Sequence, residues 1–350
     1  MSEPRVFSVT AYLEQHSAYL KIFLIFLSVG IPLAILYSLD PPAFDKTFNG
    51  RAYYLFFIWL VVLEFALDWD KYKIETTKMS IKRIVAFGVA LALPTCYVLA
   101  ANFFGLNTAI MEATGASGIL SPTLGDYADR IRFTPLATEF LVFAVLFAVI
   151  ILFAYKLKGL ADFSLSVALL GIVGAIAMIN LLYQTFPPFQ ILVPTTAGLS
   201  ASVLGYMGYR TFLMPDAKTM MPTLFVTDPA TSAQWQARIA WPCAGVESLL
   251  LYTVIMLLFL KKSEIPRLHK VIYFAIGAGV TYFINILRIV TLYLIGLNGG
   301  DVWGFHDYYG QFYSAIWIMT YPLLIIGIQI LSNAKNGRIK NAIINLITND

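Results

Sequence analysis

Eight stretches of apolar residues, each about long enough to cross a bilayer, dominate this chain: 20–39, 52–69, 84–105, 135–155, 164–185, 243–260, 271–297 and 312–332. A hydrocarbon core of about 30 Å needs roughly 20 residues of helix. The stretches therefore predict an all-α polytopic membrane protein of about eight transmembrane helices. Composition points the same way: 59% of residues are hydrophobic and 13% charged, against about 25% charged in soluble domains. Too few charges are present to clothe a water-facing surface, and so apolar a chain is not intrinsically disordered. The net charge of +4 is no argument for nucleic acid. Two cysteines, Cys96 and Cys243, are too few for a disulfide framework or a thiolate metal cluster, and no cofactor or metal is expected. With no internal repeat, residues 1–350 read as a single membrane domain.

Threading follows from the lysines and arginines of short loops, which concentrate on the cytoplasmic side. Lys71, Lys73, Lys78, Lys82 and Arg83 mark one cytoplasmic loop, Lys156 and Lys158 the next, and Lys261, Lys262, Arg267 and Lys270 a third. Lys335, Arg338 and Lys340 place the C-terminus on the same side. Both termini then lie on the cytoplasmic side of the cell membrane. The first stretch, with no small-residue cleavage pattern behind it, reads as an uncleaved span. A further apolar run, 188–213, would reverse every later loop if it crossed. It is broken by Pro194, Gly198, Gly205 and Gly208 and carries Thr195, Thr196, Ser200 and Ser202. It is expected to lie in the outer interface as a helix, or to dip in and return. Beyond it, Trp235 to Trp241 alternate apolar and mostly polar positions, and 223–227 with Asp228-Pro229 offers a partner strand and a turn. The expected organisation is five N-terminal spans over 20–185 and then an external segment, 186–242, with the interfacial helix and a small hairpin. A three-span part over 243–332 and a cytoplasmic tail at 333–350 follow. The other external loops are 106–134 and 298–311.

Polar side chains inside lipid are costly, so each one asks for a reason. Arg288 sits about ten residues, or roughly 15 Å of helix, from the external end of its span, too deep for easy snorkelling. Asn285 is one turn before it on the same face. Arg288 is either a structural arginine paired with a carboxylate such as Glu247, or a charge kept for chemistry. Cys243 opens the sixth span externally, within Trp241-Pro242-Cys243-Ala244-Gly245-Val246-Glu247-Ser248. Gly245 lets a backbone or a substrate approach closely, and Glu247 and Ser248 lie one turn below the cysteine. Of the three histidines, His16 and His269 fall on the cytoplasmic side, and His306 alone is external, beside Asp307. A thiol needs a base or a positive neighbour to be a good nucleophile at neutral pH. His306 could take its proton, and Arg288 could stabilise a thiolate or the oxyanion of a tetrahedral intermediate. Cys243, Arg288 and His306 form a candidate cysteine acyl-transfer site, with Gly245, Glu247, Ser248, Asn285 and Asp307 as supporting residues. Against it stands the plainer reading of a packing thiol, an interface histidine and a structural arginine. Cys96, in mid-span, reads as a packing residue.

The order Cys243-Ala244-Gly245-x-x-Ser248, then Asn285-Ile286-Leu287-Arg288 in the next span, then His306 before the last, resembles the exosortase/archaeosortase family. The interfacial segment and strand-like run ahead of the cysteine resemble it too. The likeness is confined to about residues 186–312. Many bacterial members have Cys-Ser-Gly where this chain has Cys-Ala-Gly, which, with the long N-terminal half, leans the resemblance towards an archaeal member. The resemblance implies a cysteine protease/transpeptidase of the outer membrane face, with Cys243 as nucleophile and Arg288 and His306 completing a triad. Its substrates would be exported proteins with a C-terminal sorting signal: a short motif, a transmembrane helix and a basic cluster. Cleavage would leave a thioacyl-enzyme, and the new C-terminus would pass to an acceptor, an amine-bearing membrane lipid being the one expected. The apolar bundle would dock the tail, with Gly277, Gly279 and Ala315 permitting close approach.

Other polar groups have plainer readings. Glu64 and Asp68, four apart near the inner end of the second span, suggest a structural pair ahead of an ion pathway. Asn180, Tyr183 and Gln184 either line the site or meet water. Asp126, Asp129, Arg130 and Arg132 read as a solvated loop face, and Tyr308, Tyr309, Phe312, Tyr313 and Trp317 as an aromatic belt. The rival function is a transporter or lipid-flipping protein with Arg288, Asn285 and Glu64 along a polar pathway, although transporters commonly carry the paired repeats missing here. A non-catalytic membrane scaffold is a third.

Overall fold

The computed structural model describes residues 9–47, 49–67, 80–118, 127–182, 190–216, 221–310 and 312–348. Asp68, Lys71, Lys73, Lys78, Asp126, Tyr183 and Gln184 lie outside them. In chain order the helices are α1 (Val9–Leu39), α2 (Tyr53–Leu67), α3 (Ile81–Phe103), α4 (Leu106–Ala116), α5 (Tyr127–Asp162), α6 (Ser164–Leu182) and α7 (Val193–Tyr206). Strands β1 (Arg210–Met214), β2 (Thr223–Thr227) and β3 (Gln234–Arg238) follow, then α8 (Val246–Lys262), α9 (Arg267–Leu297), α10 (Val302–Tyr309) and α11 (Phe312–Thr348). Each of the eight apolar stretches contains a helix over most of its described residues, as a polytopic membrane protein requires. Six helices among the described residues are long and apolar enough to cross a membrane, while α2 and α8, at 15 and 17 residues, are shorter. The chain divides into two compact units, residues 1–191 with 301–310 and residues 192–300 with 311–350.

In the first unit, α5 and α6 pair along their length, α2 packs on α6, and α3 lies against α1 and α5. Aromatic rings fill the contacts: Tyr54 lies 4.9 Å from Phe140, Phe57 5.0 Å from Phe147, and Phe65 4.5 Å from Phe163. The first and last turns of a helix leave backbone groups without intrahelical partners, and in lipid these must be satisfied from elsewhere. At the start of α6 the buried Glu64 carboxylate accepts the Leu165 and Ser166 amides at 3.0 and 3.2 Å. At its end the Arg130 guanidinium donates to the Leu181 carbonyl at 2.8 Å. A negative charge at the N-terminus and a positive one at the C-terminus both oppose the helix dipole. Arg130 is thus not part of a solvated loop face: α5 begins at Tyr127, ahead of the expected 135, and carries Arg130 into the core. Similarly, α5 breaks at Lys156, whose φ is +62°, and Arg83 donates to the Phe153 and Ala154 carbonyls at 2.8 and 3.0 Å, just before the break. Arg51 clasps the buried Glu139 with two hydrogen bonds of 2.8 and 2.9 Å, and Tyr54 donates to the same carboxylate. Cys96 is exposed on α3 and is not a packing thiol. Residues 106–116, expected to be loop, form α4.

The second unit holds the segment ahead of the cysteine. Helix α7 has 14 residues, about 21 Å of rise, short of a bilayer core. Its buried face consists of Val193, Thr196, Ala197, Ser200, Ala201 and Leu204. The expected hairpin is present as β2 and β3, but a third strand joins it. β1 occupies 210–214, the tail of the run expected to be interfacial, and the sheet order is β1-β2-β3, all antiparallel. Leu224 and Val226 of the central strand are buried, the alternation of a sheet with one covered face. The β2–β3 turn is closed by Asp228, whose carboxylate accepts the Ala230 amide and the Thr231 hydroxyl. Those bonds hold its pKa below the usual carboxylate value, the Thr231 hydroxyl first. The sheet is tied to α9 by Tyr293, whose hydroxyl lies 3.1 Å from both the Leu224 and the Ala237 carbonyls, a facing pair. Trp235 stacks edge-on to Tyr293 and lies against Gly296, where a Cβ would come within 2.5 Å of the indole. α8, α9 and α11 pack around Gly277, where a Cβ would meet the Tyr252 hydroxyl and the Tyr321 ring. Gly277 therefore serves the protein's own packing and is closed to a docking tail, Ala315 is buried, and only Gly279 faces open space.

Replacing Glu64 by Ala removes the acceptor from two amides of α6, and replacing Arg130 by Met frees the Leu181 carbonyl. Each change is expected to lower stability by about 1–3 kcal/mol, read as a lower unfolding temperature in detergent. Glu64→Gln, which keeps one accepting oxygen, should fall between Glu64→Ala and the parent.

Candidate functional site

Cys243 lies half-buried in a turn, residues 241–245, between β3 and α8. The turn is anchored by Trp241, which is fully buried, and by the Ala244 amide donating to the Ala240 carbonyl at 3.0 Å. It ends at Gly245, whose φ of +88° is a left-handed conformation that favours glycine. A Cβ there would also come within 2.9 Å of the Asn285 carboxamide. Gly245 is therefore required twice, for its backbone angle and for the approach of a side chain from α9. Close approach was expected at this position; what approaches is Asn285.

Asn285, fully buried, uses both ends of its amide. Its Nδ2 donates to the Cys243 carbonyl at 2.9 Å, and its Oδ1 accepts from an Arg288 guanidinium nitrogen at 3.3 Å. Cys243 and Arg288 are thus joined through one carboxamide. Thr196 of α7 performs the matching task one residue on. Its hydroxyl bonds the Ala244 carbonyl at 3.1 Å and lies 2.8 Å from the Tyr282 hydroxyl. Two successive carbonyls of the cysteine turn are held by side chains from α9 and α7. Nothing in the sequence separates Thr196 from Thr195 beside it; Tyr282, one turn before Asn285, is the nearest hint.

Arg288 is buried at 5% exposure, and its Nε has no hydrogen-bond partner. Among the described residues no carboxylate pairs with it, so the structural pairing with Glu247 is not formed. A buried unpaired guanidinium carries a desolvation penalty of several kcal/mol, which an anion placed against it would offset. Glu247 and Ser248 sit in the first turn of α8, both buried.

His306 belongs to the first unit, on α10. It is buried, with Nδ1 3.3 Å from the Asp307 carboxylate and its ring 5.9 Å from that of Trp303. α10 is capped by Asp301, which accepts the Gly304 amide at 2.8 Å, and is fastened by the Thr47 amide donating to the Asp307 carbonyl at 3.1 Å. With the proton on Nδ1, the bond to Asp307 leaves Nε2 as the basic nitrogen. Cys243, Gly245, Asn285 and Arg288 are brought together in the second unit; His306 and Asp307 are neighbours in the first. Glu64, the deep carboxylate of a transport pathway, is committed to the start of α6. No group of three or more His, Cys, Asp and Glu fit to hold a metal occurs among the described residues.

A family model described as transmembrane exosortase matches residues 45–322. The match runs well beyond the 186–312 stretch that carries the short motifs, so the helices from α2 onward are part of what the family shares. No curated protein and no solved structure matches the chain.

In a Cys96→Ala background, Asn285→Asp would turn an accepting oxygen towards the Cys243 carbonyl, and Gly245→Ala would displace the carboxamide. Both variants are expected to unfold at lower temperature, by about 1–3 kcal/mol, and to label faster at Cys243 with a permeant maleimide. Unchanged labelling would show that the carboxamide does not hold the turn.

Proposed function

The chain belongs to the transmembrane exosortase family, membrane transpeptidases acting on proteins that carry sorting signals, and we propose that Cys243, Arg288 and His306 carry out that reaction here. Cleavage takes place at the external membrane face, where the motif of a tail-anchored precursor emerges from the bilayer. The Cys243 thiolate attacks the scissile carbonyl carbon, and the charge that moves to the oxygen is stabilised by Arg288. The carbon–nitrogen bond then breaks as protonated His306 gives its proton to the departing amine, which becomes the N-terminus of the released tail. The thioacyl-enzyme is resolved by the amine of a membrane lipid. His306 accepts the amine proton, the new amide forms, and the thiolate leaves. Water in place of the amine gives hydrolysis.

The observation that carries this reading is the Asn285 bridge. A buried guanidinium with no carboxylate partner among the described residues is linked by one side chain to the backbone of the half-buried cysteine. A transport pathway through Arg288, Asn285 and Glu64 fits less well, because Asn285 and Glu64 are both occupied by backbone groups.

The test is a co-expressed reporter with a C-terminal sorting signal. Cys243→Ala and Cys243→Ser are expected to abolish its processing. Arg288→Lys, which cannot reproduce the guanidinium geometry, should slow it by roughly 100-fold or more. Normal processing by Cys243→Ala would end the cysteine reading.

A further inference from the structure

The outer edge of β3 carries backbone groups that no strand among the described residues meets. The Asp228 amide donates to the Ala233 carbonyl at 2.9 Å and the Ile239 amide to the Pro222 carbonyl at 3.0 Å. Bonding alternates along an antiparallel pair, so Trp235 and Ala237 exchange their hydrogen bonds with β2. The backbone amides and carbonyls of Gln234, Gln236 and Arg238 then point away from β2, along the outer edge of β3. β3 is a terminal strand in the order β1-β2-β3, no strand among the described residues pairs with that edge, and all three residues are exposed. Open edges invite pairing with another chain and are usually blunted by lysine, proline or a bulge. β3, reading Gln-Trp-Gln-Ala-Arg, has no lysine, proline or bulge, and its one charge, Arg238, stands at the end next to the cysteine turn. A groove of about 420 Å³ lies beside it, lined by Phe225, Val226, Thr227, Gln234, Trp235 and Gln236. Past Arg238 the same strand runs into the turn that holds Cys243.

We infer that the outer edge of β3 receives the extended sorting motif of the substrate as a fourth strand, with the Phe225–Trp235 groove taking a side chain on the N-terminal side of the cleaved bond. This rests on the reading of Cys243 as the nucleophile. Strand addition gives affinity through backbone bonds and selectivity through pockets for alternate side chains. Direction follows from where the two chains go next. β3 passes through the cysteine turn into α8, and the substrate passes from its motif into its own membrane helix. For both helices to enter the bilayer from the same end of the sheet, the motif must run parallel to β3. Its residues then pass Gln234, Gln236 and Arg238 in order before reaching Cys243.

Proline at an outward-facing edge position removes an amide without breaking the ladder to β2. Gln236→Pro is therefore expected to slow processing of the tailed reporter by roughly tenfold, the scale of one or two lost backbone hydrogen bonds. Gln236→Ala keeps the amide and should lose far less. Thr211→Pro, outward on the far edge of β1, should process at the parent rate. If Gln236→Pro does not accumulate as folded protein, the parent enzyme is assayed with synthetic tailed substrates N-methylated at successive motif positions. Loss of cleavage at every second position supports the edge; equal loss at all positions, or at none, overturns it. Equal rates for Gln236→Pro and Gln236→Ala also overturn it, and do so without touching the cysteine reading, which stands or falls on Cys243→Ala. If Gln236→Pro abolishes self-association while processing stays normal, the edge belongs to a second copy and the proposal fails.

Discussion

Backbone groups that lose their helical partners inside a membrane must be met by something other than water, and most of this fold is organised around the places where that happens. Glu64 and Arg130 close the two ends of α6. Arg83 covers the carbonyls left open where α5 breaks. Asn285 and Thr196 hold two carbonyls of the turn that precedes α8. Each solution sends a side chain from one helix to the backbone of another, so the contacts that satisfy the main chain also fix how the elements sit within each unit. The cysteine turn is one more such break, and its ties have the same form as those that serve packing alone. What distinguishes it is Arg288, a buried donor beside the turn with no carboxylate partner among the described residues.

The helices were legible because hydropathy is read over some 20 residues at a time and survives local detail. The eight apolar stretches each contain a helix for that reason, and Cys243 stands in the turn just before one of them and Arg288 well inside another. Features of five residues are harder. β1 was hidden because Arg210 to Met214 continues an apolar run, and its strand character depends on pairing with β2. Helix α5 begins eight residues ahead of its apolar core because Arg130 has a carbonyl to serve, and Arg51 and Glu139 look like loop and span residues until they meet across 88 positions. Short-range spacing could not reveal that meeting. The family likeness behaves the same way. Its short motifs lie in the C-terminal half, whereas the match over 45–322 depends on patterns too diffuse to see by eye.

Within the site, the chain order Cys-x-Gly, Asn-x-x-Arg points to residues that the structure joins by hydrogen bonds, but not to their geometry. Gly245 reads as a place for close approach, and the structure supplies the visitor. Asn285 reads as a neighbour of Arg288, and the structure adds its bond to the cysteine backbone. Thr196 comes from the short helix α7, which ties a segment outside the long helices to the cysteine turn. That tie gives α7 a reason to be present: its buried face packs against α9 and supports the turn beside it.

Asn285 has one further effect. α9 is 31 residues long, about 46 Å of helix against a hydrocarbon core of about 30 Å, and a helix that exceeds its bilayer accommodates by tilting. The cysteine turn hangs from this helix by a short hydrogen bond, so a change in tilt is carried to the turn. Under the proposed reaction, lipid thickness thereby becomes a setting on the site: a thinner or thicker membrane would alter the height at which the thiol meets a substrate tail.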